Sequence, residues 1–243
     1  MSEVNILGIR FNQKTASEAL SQLESWLDTG ENHIIVTPNP EGVMQARRNP
    51  AFFQALNSAD LRLADGIGIV MAAKFKGQPL PGRVRGVDTI FELFENLNKK
   101  GRNFTAYFLG GKPGVAQVAK ENMEKRFPYL KVIGHHHGYY KDDTEIISNI
   151  NNLSPDILLV CTGMPKAEIW ATTNRSLNAR LTLCLGGTID IMSGQVNLAP
   201  PLLRKLGLEW LYRLATQPSR AKRMLDIPRF IFATIMEGRN REK

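Results

Sequence analysis

Several things are scarce in this 243-residue chain, and each scarcity excludes something. There are only two cysteines, Cys161 and Cys184. Each sits inside an apolar run that reads as a buried strand, so both are expected to be small core hydrophobes rather than a disulfide. No run of eighteen apolar residues occurs, which excludes a bilayer-spanning helix. The opening MSEVNILGIRFNQKT lacks a charged segment followed by a long apolar one, so no signal peptide is expected and a reducing, cytoplasmic setting fits. No Asp-x-Asp pair occurs, which disfavours a sugar-nucleotide enzyme that holds Mg²⁺ or Mn²⁺ through that pair. Neither G-x-G-x-x-G nor a Walker A loop is present, which counts against a nicotinamide-dependent oxidoreductase and a P-loop enzyme. Four histidines are present, three of them adjacent as His135-His136-His137. In an extended chain these alternate faces and cannot converge on one ion, so no metal site is expected there.

Positive charge, by contrast, is in excess and unevenly placed. The chain has 31 Lys and Arg against 23 Asp and Glu, a net of +8. Leu202 to Lys243 alone holds ten basic residues against four acidic ones, six of that net eight. Such asymmetry points to an anionic partner: a phosphate, a membrane surface or nucleic acid. No RNA- or DNA-binding motif appears and the tail is apolar as well as basic, so nucleic acid is not expected as a partner.

Along the chain, Val4–Phe11 reads as one short strand, and Thr15-x-x-Glu18 as a capping box opening a helix to about Leu27. Apolar strands are then expected at His33–Thr37, Leu61–Asp65, Asn103–Leu109, Lys131–Gly134, Asp156–Thr162 and Leu181–Leu185. Helical patterns follow most of them, at Gly42–Arg48, Ile67–Phe75, Val115–Phe127, Thr144–Asn151 and Lys166–Arg175. Near-continuous apolar strands alternating with helices imply an α/β fold, Rossmann-like, with a mostly parallel sheet covered by helices. Near Pro200-Pro201 the pattern changes to helix alone. The division expected is an α/β core over 1–199 and a basic, amphipathic helical appendage over 200–243.

Ligands of an open parallel sheet bind outside the carboxyl ends of its strands. That rule selects Thr37-Pro-Asn-Pro40, Asp65-Gly-Ile-Gly68, Gly110-Gly-Lys-Pro-Gly114, Thr162-Gly-Met-Pro-Lys166 and Gly186-Gly-Thr-Ile-Asp190. The glycines of Gly110–Gly114 suit backbone approach to a phosphate, or simply a tight turn into a helix. Asp65 reads equally as a helix N-cap and as a general base at the mouth of a cleft. Arg83 and Arg85 follow a Gly/Pro-rich loop and suit phosphate recognition or a solvated loop.

Taken together, TPNPEGVMQARRNPAFFQALNSADLRLADGIGIVMAAKFKGQPLPGRVRGVDTIFEL, FLGGKPGVA, LLVCTGMPKAEIW, GGTIDIMSGQVNLAP and GLEWLYRL resemble the WecG/TagA/CpsF glycosyltransferases, glycosyltransferase family 26. The resemblance runs from about His33 to beyond Leu214. It is closest to the N-acetylmannosaminyltransferases of wall teichoic acid linkage-unit synthesis. It implies UDP-N-acetylmannosamine as donor, undecaprenyl-diphosphate-linked N-acetylglucosamine as acceptor, and a β1,4 product formed with inversion. No cofactor or metal is implied.

Carried over residue by residue, the resemblance makes Asp65 the base, with Thr37 and Asn39 beside it and Arg83 facing the reacting or diphosphate groups. Gly110 and Gly111, the turn Gly163, Met164, Pro165, Lys166 and Glu168, and Gly187, Thr188 and Asp190 would hold the nucleotide sugar. Arg213, Arg220 and Arg223 would close over the diphosphate. One position departs: Ala167 stands where the family pattern has Gln, and Ala cannot hydrogen-bond a sugar or phosphate.

The resemblance also implies a peripheral enzyme on the inner face of the cell membrane. Trp210, Leu211, Phe230, Ile231 and Phe232 beside the tail's basic residues suit the headgroup boundary; the other reading of these apolar residues is a core or homo-oligomer face. Two alternatives remain at this point. One is a relative using the uronic acid form of the donor or another UDP-sugar. The other is a basic membrane adaptor without catalysis.

Overall fold

A computed structural model describes residues 2–216 and 221–239. Its centre is a parallel sheet of β3 (His33–Val36), β4 (Leu61–Arg62), β5 (Phe104–Gly110), β6 (Leu130–His136), β7 (Ile157–Cys161) and β8 (Leu181–Cys184). The order across the sheet is β4-β3-β8-β7-β5-β6 and every pairing is parallel. Strand side chains alternate between faces. Ile34, Val36, Leu158 and Val160 therefore enter one apolar core, while Ile35, Ile157 and Leu159 enter the core on the opposite face. Burial on both faces is why these strands read as unbroken apolar runs.

The covering helices are α1 (Ala16–Trp26), α2 (Pro40–Ala46), α3 (Pro50–Ser58), α4 (Ile67–Phe75), α5 (Gly86–Lys99), α6 (Val115–Arg126), α7 (Thr144–Leu153), α8 (Lys166–Thr173) and α9 (Thr188–Met192). The capping box forms as expected, with the Glu18 amide donating to Thr15 Oγ1 and the Thr15 amide donating to Glu18. Helices α3 and α5 exceed the sequence expectation. Both carried signals: Asn49 caps α3 through its side chain ahead of Pro50, and α5 buries Ile90, Leu93, Phe94 and Leu97 along one stripe.

The N-terminal segment corrects the sequence reading. Val4–Phe11 is not one strand but an antiparallel hairpin, β1 (Glu3–Ile6) and β2 (Ile9–Asn12), apart from the main sheet. Leu7 at φ 51° and Gly8 at φ 90° make a two-residue turn whose twist matches the strands it joins. A leucine in the left-handed region is uncommon, so composition gave no warning of it.

After α9 come α10 (Pro201–Lys205), α11 (Glu209–Thr216), α12 (Ala221–Met224) and α13 (Asp226–Arg239), with no strand among the described residues. Helix α13 packs on α2 and α4. Two ion pairs fix its ends to the core. Arg48 donates from both terminal nitrogens to the Asp226 carboxylate at 2.9 and 2.6 Å, which holds that carboxyl below its ordinary range. Lys76, its side chain buried, donates to Glu237 at 2.8 Å and to the Asn5 carbonyl.

Candidate active site

The chain leaves β5 toward β6 on one side and leaves β7 toward β8 on the other, so a crevice opens between the carboxyl ends of β5 and β7. A polar cleft of about 770 Å³ occupies it and reaches across β8 to β3 and β4. All five strand-end loops contribute lining: Thr37 and Asn39, Asp65, Gly111, Gly163 with Met164, Lys166 and Glu168, and Gly187 with Asp190. Both cysteines are free and buried, as expected, and they line the cleft where β7 and β8 end.

Two glycines let the walls close. A Cβ on Gly110 would lie 2.5 Å from the Cys161 carbonyl oxygen, so β5 and β7 approach there only without a side chain. A Cβ on Gly86 would meet Leu185 at 2.6 Å and Thr37 at 3.0 Å, so the first turn of α5 can lie against the end of β3 only as glycine.

Among the described residues, three buried side-chain polar atoms lack a hydrogen-bond partner: Tyr140 Oη, Thr162 Oγ1 and Glu168 Oε2. All three residues line this one cleft. Orphaned buried polar groups are costly and rare, and their collection in a single cavity marks it as built for a polar ligand. Glu168 is 5% exposed, and burial pushes its carboxyl up to about 7. Burial likewise raises the Tyr140 hydroxyl to about 12, so it stays a donor at neutral pH. Lys166 lies 3.7 Å from the Tyr140 ring centroid and donates to the Gly138 carbonyl at 3.1 Å.

Asp65 is half-buried and opens onto a second cavity as well. That cavity, about 520 Å³, is mostly apolar and runs between α4 and α13, with Trp210 of α11 contributing. Asn39, Glu41 and Asp65 line both cavities and so mark their junction. The N-cap of α4 is Gly66, one residue after Asp65. Asn39 is a cap: its side chain accepts from the Gly42 amide at 2.8 Å, which fixes its orientation at the junction.

The remaining sequence candidates fall as follows. Gly110 closes β5 behind the cleft. Pro165 is the N-cap of α8, after a cis bond from Met164. Thr188 is buried and donates to the Leu185 carbonyl. Ala167 is buried in the apolar core beside the cleft, and its amide donates to the Gly163 carbonyl. Arg83 lines the apolar cavity and donates to the Arg204 carbonyl at 2.7 Å, with Glu209 3.4 Å away. Arg85 pairs with the same Glu209 at 2.7 Å, so a shared carboxylate ties the loop before α5 to α11. Arg223 lines the polar cleft 3.7 Å from Glu41. Arg220 and the Arg213 side chain lie outside the described residues. Phe230 corrects the reading of the tail as a headgroup face: it is 1% exposed and packs in the core under α13, whereas Ile231 and Phe232 remain exposed.

Glu41, Tyr140 and Glu209 were not singled out from sequence. Glu41 follows directly on a selected strand-end loop, which was a usable signal; the other two become visible only through tertiary packing. No group of three or more His, Cys, Asp or Glu is placed to hold a metal ion among the described residues. No described helix is long and apolar enough to cross a membrane.

Comparison with known proteins gives a consistent result. Residues 4–243 match the model of the "Glycosyl transferase WecG/TagA/CpsF family". A protein of Bacillus spizizenii is 36% identical over 222 residues, covering 90% of this chain and 86% of its own length. One of Bacillus subtilis is 33% identical, covering 91% of this chain and 90% of its own. One of Staphylococcus aureus is 29% identical, covering 95% and 91%. All three bear the name N-acetylglucosaminyldiphosphoundecaprenol N-acetyl-beta-D-mannosaminyltransferase. An α/β sheet whose strand-end loops build one polar cleft, in a chain matched over nearly its whole length, places this protein in the WecG/TagA/CpsF glycosyltransferase family.

Proposed function

We propose that this hexosyltransferase moves N-acetylmannosamine from UDP-N-acetylmannosamine to undecaprenyl-diphosphate-linked N-acetylglucosamine, forming a β1,4 bond with inversion in wall teichoic acid linkage-unit synthesis. The observation that carries the reading is the junction at Asp65, where a polar cleft meets an apolar one. A reaction between a nucleotide sugar and a lipid-linked sugar needs such a meeting point, with the base between the two substrates.

In an inverting transfer the acceptor hydroxyl oxygen bonds to the anomeric carbon as the bond from that carbon to the UDP phosphate oxygen breaks. The hydroxyl proton passes to a carboxylate within about 3 Å, and the electron pair leaves with UDP. Asp65 takes the proton. Thr37 and Asn39 orient the sugars beside it. The nucleotide lies over Gly111, the Gly163–Glu168 turn and Gly187–Asp190, where the N-terminus of α6 and Lys166 favour an anion. Negative charge growing on the diphosphate is met by arginines of the appendage, Arg213, Arg220 and Arg223, with no metal or cofactor required. The two parts of the chain thus divide the work: 1–199 binds the donor, and 200–243 closes the site and brings it to the inner face of the membrane. There, exposed Leu202, Leu206, Leu211 and Phe232 meet the bilayer surface.

The test is direct. UDP release is followed with both substrates, with and without EDTA, for the native chain and for Asp65→Asn. The native chain should release UDP at the same rate in EDTA. Asp65→Asn should lose at least about 10²-fold in kcat while still binding UDP. An undiminished kcat would remove Asp65 as the base.

A further inference from the structure

Beyond its junction at Asp65, the apolar cavity has a body that no step of the transfer chemistry uses. Its floor and walls come from two helical stripes at a spacing of four, Ile67, Met71 and Phe75 on α4 and Ile227, Ile231 and Ile235 on α13. Met71 is 64% exposed and Phe75 58%, which is unusual for apolar side chains on a helix otherwise packed on the core. Of the ionisable and amide side chains in the lining, Asn39, Glu41 and Asp65 sit at the junction with the polar cleft, and the Arg83–Glu209 pair stands beside it, since the Val84 amide next to Arg83 donates to the Ala64 carbonyl next to Asp65. Among the described lining residues the only hydroxyl is Thr234, whose Oγ1 already donates to the Phe230 carbonyl. The groove therefore has a charged mouth at the junction and a dry body.

We propose that this groove binds the first isoprene units of the acceptor's polyprenyl chain, drawing them out of the bilayer while the sugar reacts. The inference rests on the reading that the acceptor is a polyprenyl-diphosphate sugar. One sugar and two phosphates separate the attacking hydroxyl from the first isoprene. A hydroxyl held at Asp65 thus brings the diphosphate to the charged mouth and the start of the lipid to the apolar body. At about 520 Å³ the groove falls in the range of small-molecule sites and suits a few isoprenes rather than a whole undecaprenyl chain, leaving the remainder in the membrane. A helix face lying flat on a bilayer would present its apolar residues outward; here those of α4 and α13 line a shared recess.

The experiment removes the membrane. Water-soluble acceptors, N-acetylglucosamine diphosphates carrying one, two, three or four isoprenes, are assayed below their aggregation limit with no lipid or detergent. The kcat/KM of the native chain should rise at least about tenfold with each of the first added isoprenes and then level off once the groove is full, as expected for burial of methylene groups. Met71→Trp and Ile235→Trp fill the groove. Each should raise KM at least about tenfold for the three-isoprene acceptor, raise it less for the one-isoprene acceptor, and leave the donor KM unaltered. A kcat/KM independent of chain length without a membrane would overturn the proposal in favour of plain bilayer contact. So would loss of a native dimer in the Trp variants, seen by sedimentation, with acceptor kinetics unmoved, since the groove would then belong to a second copy. Failure of every acceptor while UDP still binds would instead strike at the transfer reading itself, and the groove proposal would fall with it.

Discussion

Glu168 shows how a single side chain can be legible in type and illegible in state. It lies two residues beyond the Thr162–Lys166 loop that the strand-end rule selects and was a candidate through the family resemblance, yet only the fold reveals that it is 5% exposed, with Oε2 unpartnered. Burial raises its carboxyl from the ordinary 4.5 to about 7. The folded chain therefore keeps a proton that the unfolded chain loses near the lower value. The associated stability is fully present below about 4.5 and is lost as pH rises toward about 7, an effect of roughly 3 kcal/mol for a shift of this size. Glu168→Gln mimics the protonated form and has no such dependence. Urea unfolding of the two proteins at several pH values should show the native chain losing ground to the variant as pH rises through that window. A constant difference between them would mean that Glu168 ionises normally and is solvated in the cleft.

At the scale of elements, α13 is where the sequence reading most needed the structure. Its apolar residues fit a headgroup face, a core or a partner surface, and the helix divides them: Phe230 goes to the core, and Ile231 and Phe232 stay outside. Their angular order around a helix follows from their spacing, but which direction faces the core depends on where α2 and α4 stand. The ion pairs Arg48–Asp226 and Lys76–Glu237 settle that from both ends. Phe230→Ala should cost roughly 3 kcal/mol in urea unfolding, as for a buried aromatic truncated in a packed core. Phe232→Ala, at 67% exposure, should cost less than about 0.5 kcal/mol. Equal costs would show that α13 does not dock in this orientation.

For the whole molecule, the excess charge can be tested without reference to catalysis. Ten of the basic residues lie in the last forty-two positions, and each near an anionic surface contributes about 1 kcal/mol. Co-sedimentation with vesicles containing phosphatidylglycerol should be strong at low ionic strength and fall steeply as salt shortens the screening length toward about 8 Å at physiological strength. Neutral vesicles should retain much less protein. Equal binding to both would assign membrane attachment to the apolar residues alone. Charge counts of this kind are read directly from composition, because the long-range field depends on the sum of charges and little on their exact arrangement.

What the sequence determined alone was everything governed by local spacing. The near-continuous apolar runs, the helical stripes between them and the turn residues at strand ends set the α/β class and picked the loops that carry the cleft. Most boundaries shifted by a residue or two, β4 ended three residues short of the expected Asp65, and the one false strand, Val4–Phe11, failed at a left-handed leucine. Only the tertiary structure decided which strands are neighbours, that β3 pairs with β8 across nearly 150 residues, and that Asp65 looks into a groove shared with Trp210. It also decided that the orphaned groups Tyr140, Thr162 and Glu168 line one cavity, and that Arg83 is held by Glu209 of the appendage. The physical reason is the same in each case. Periodicity records what a residue's own helix or strand requires, whereas burial without a partner, and contact between distant segments, exist only once the whole chain has closed around them.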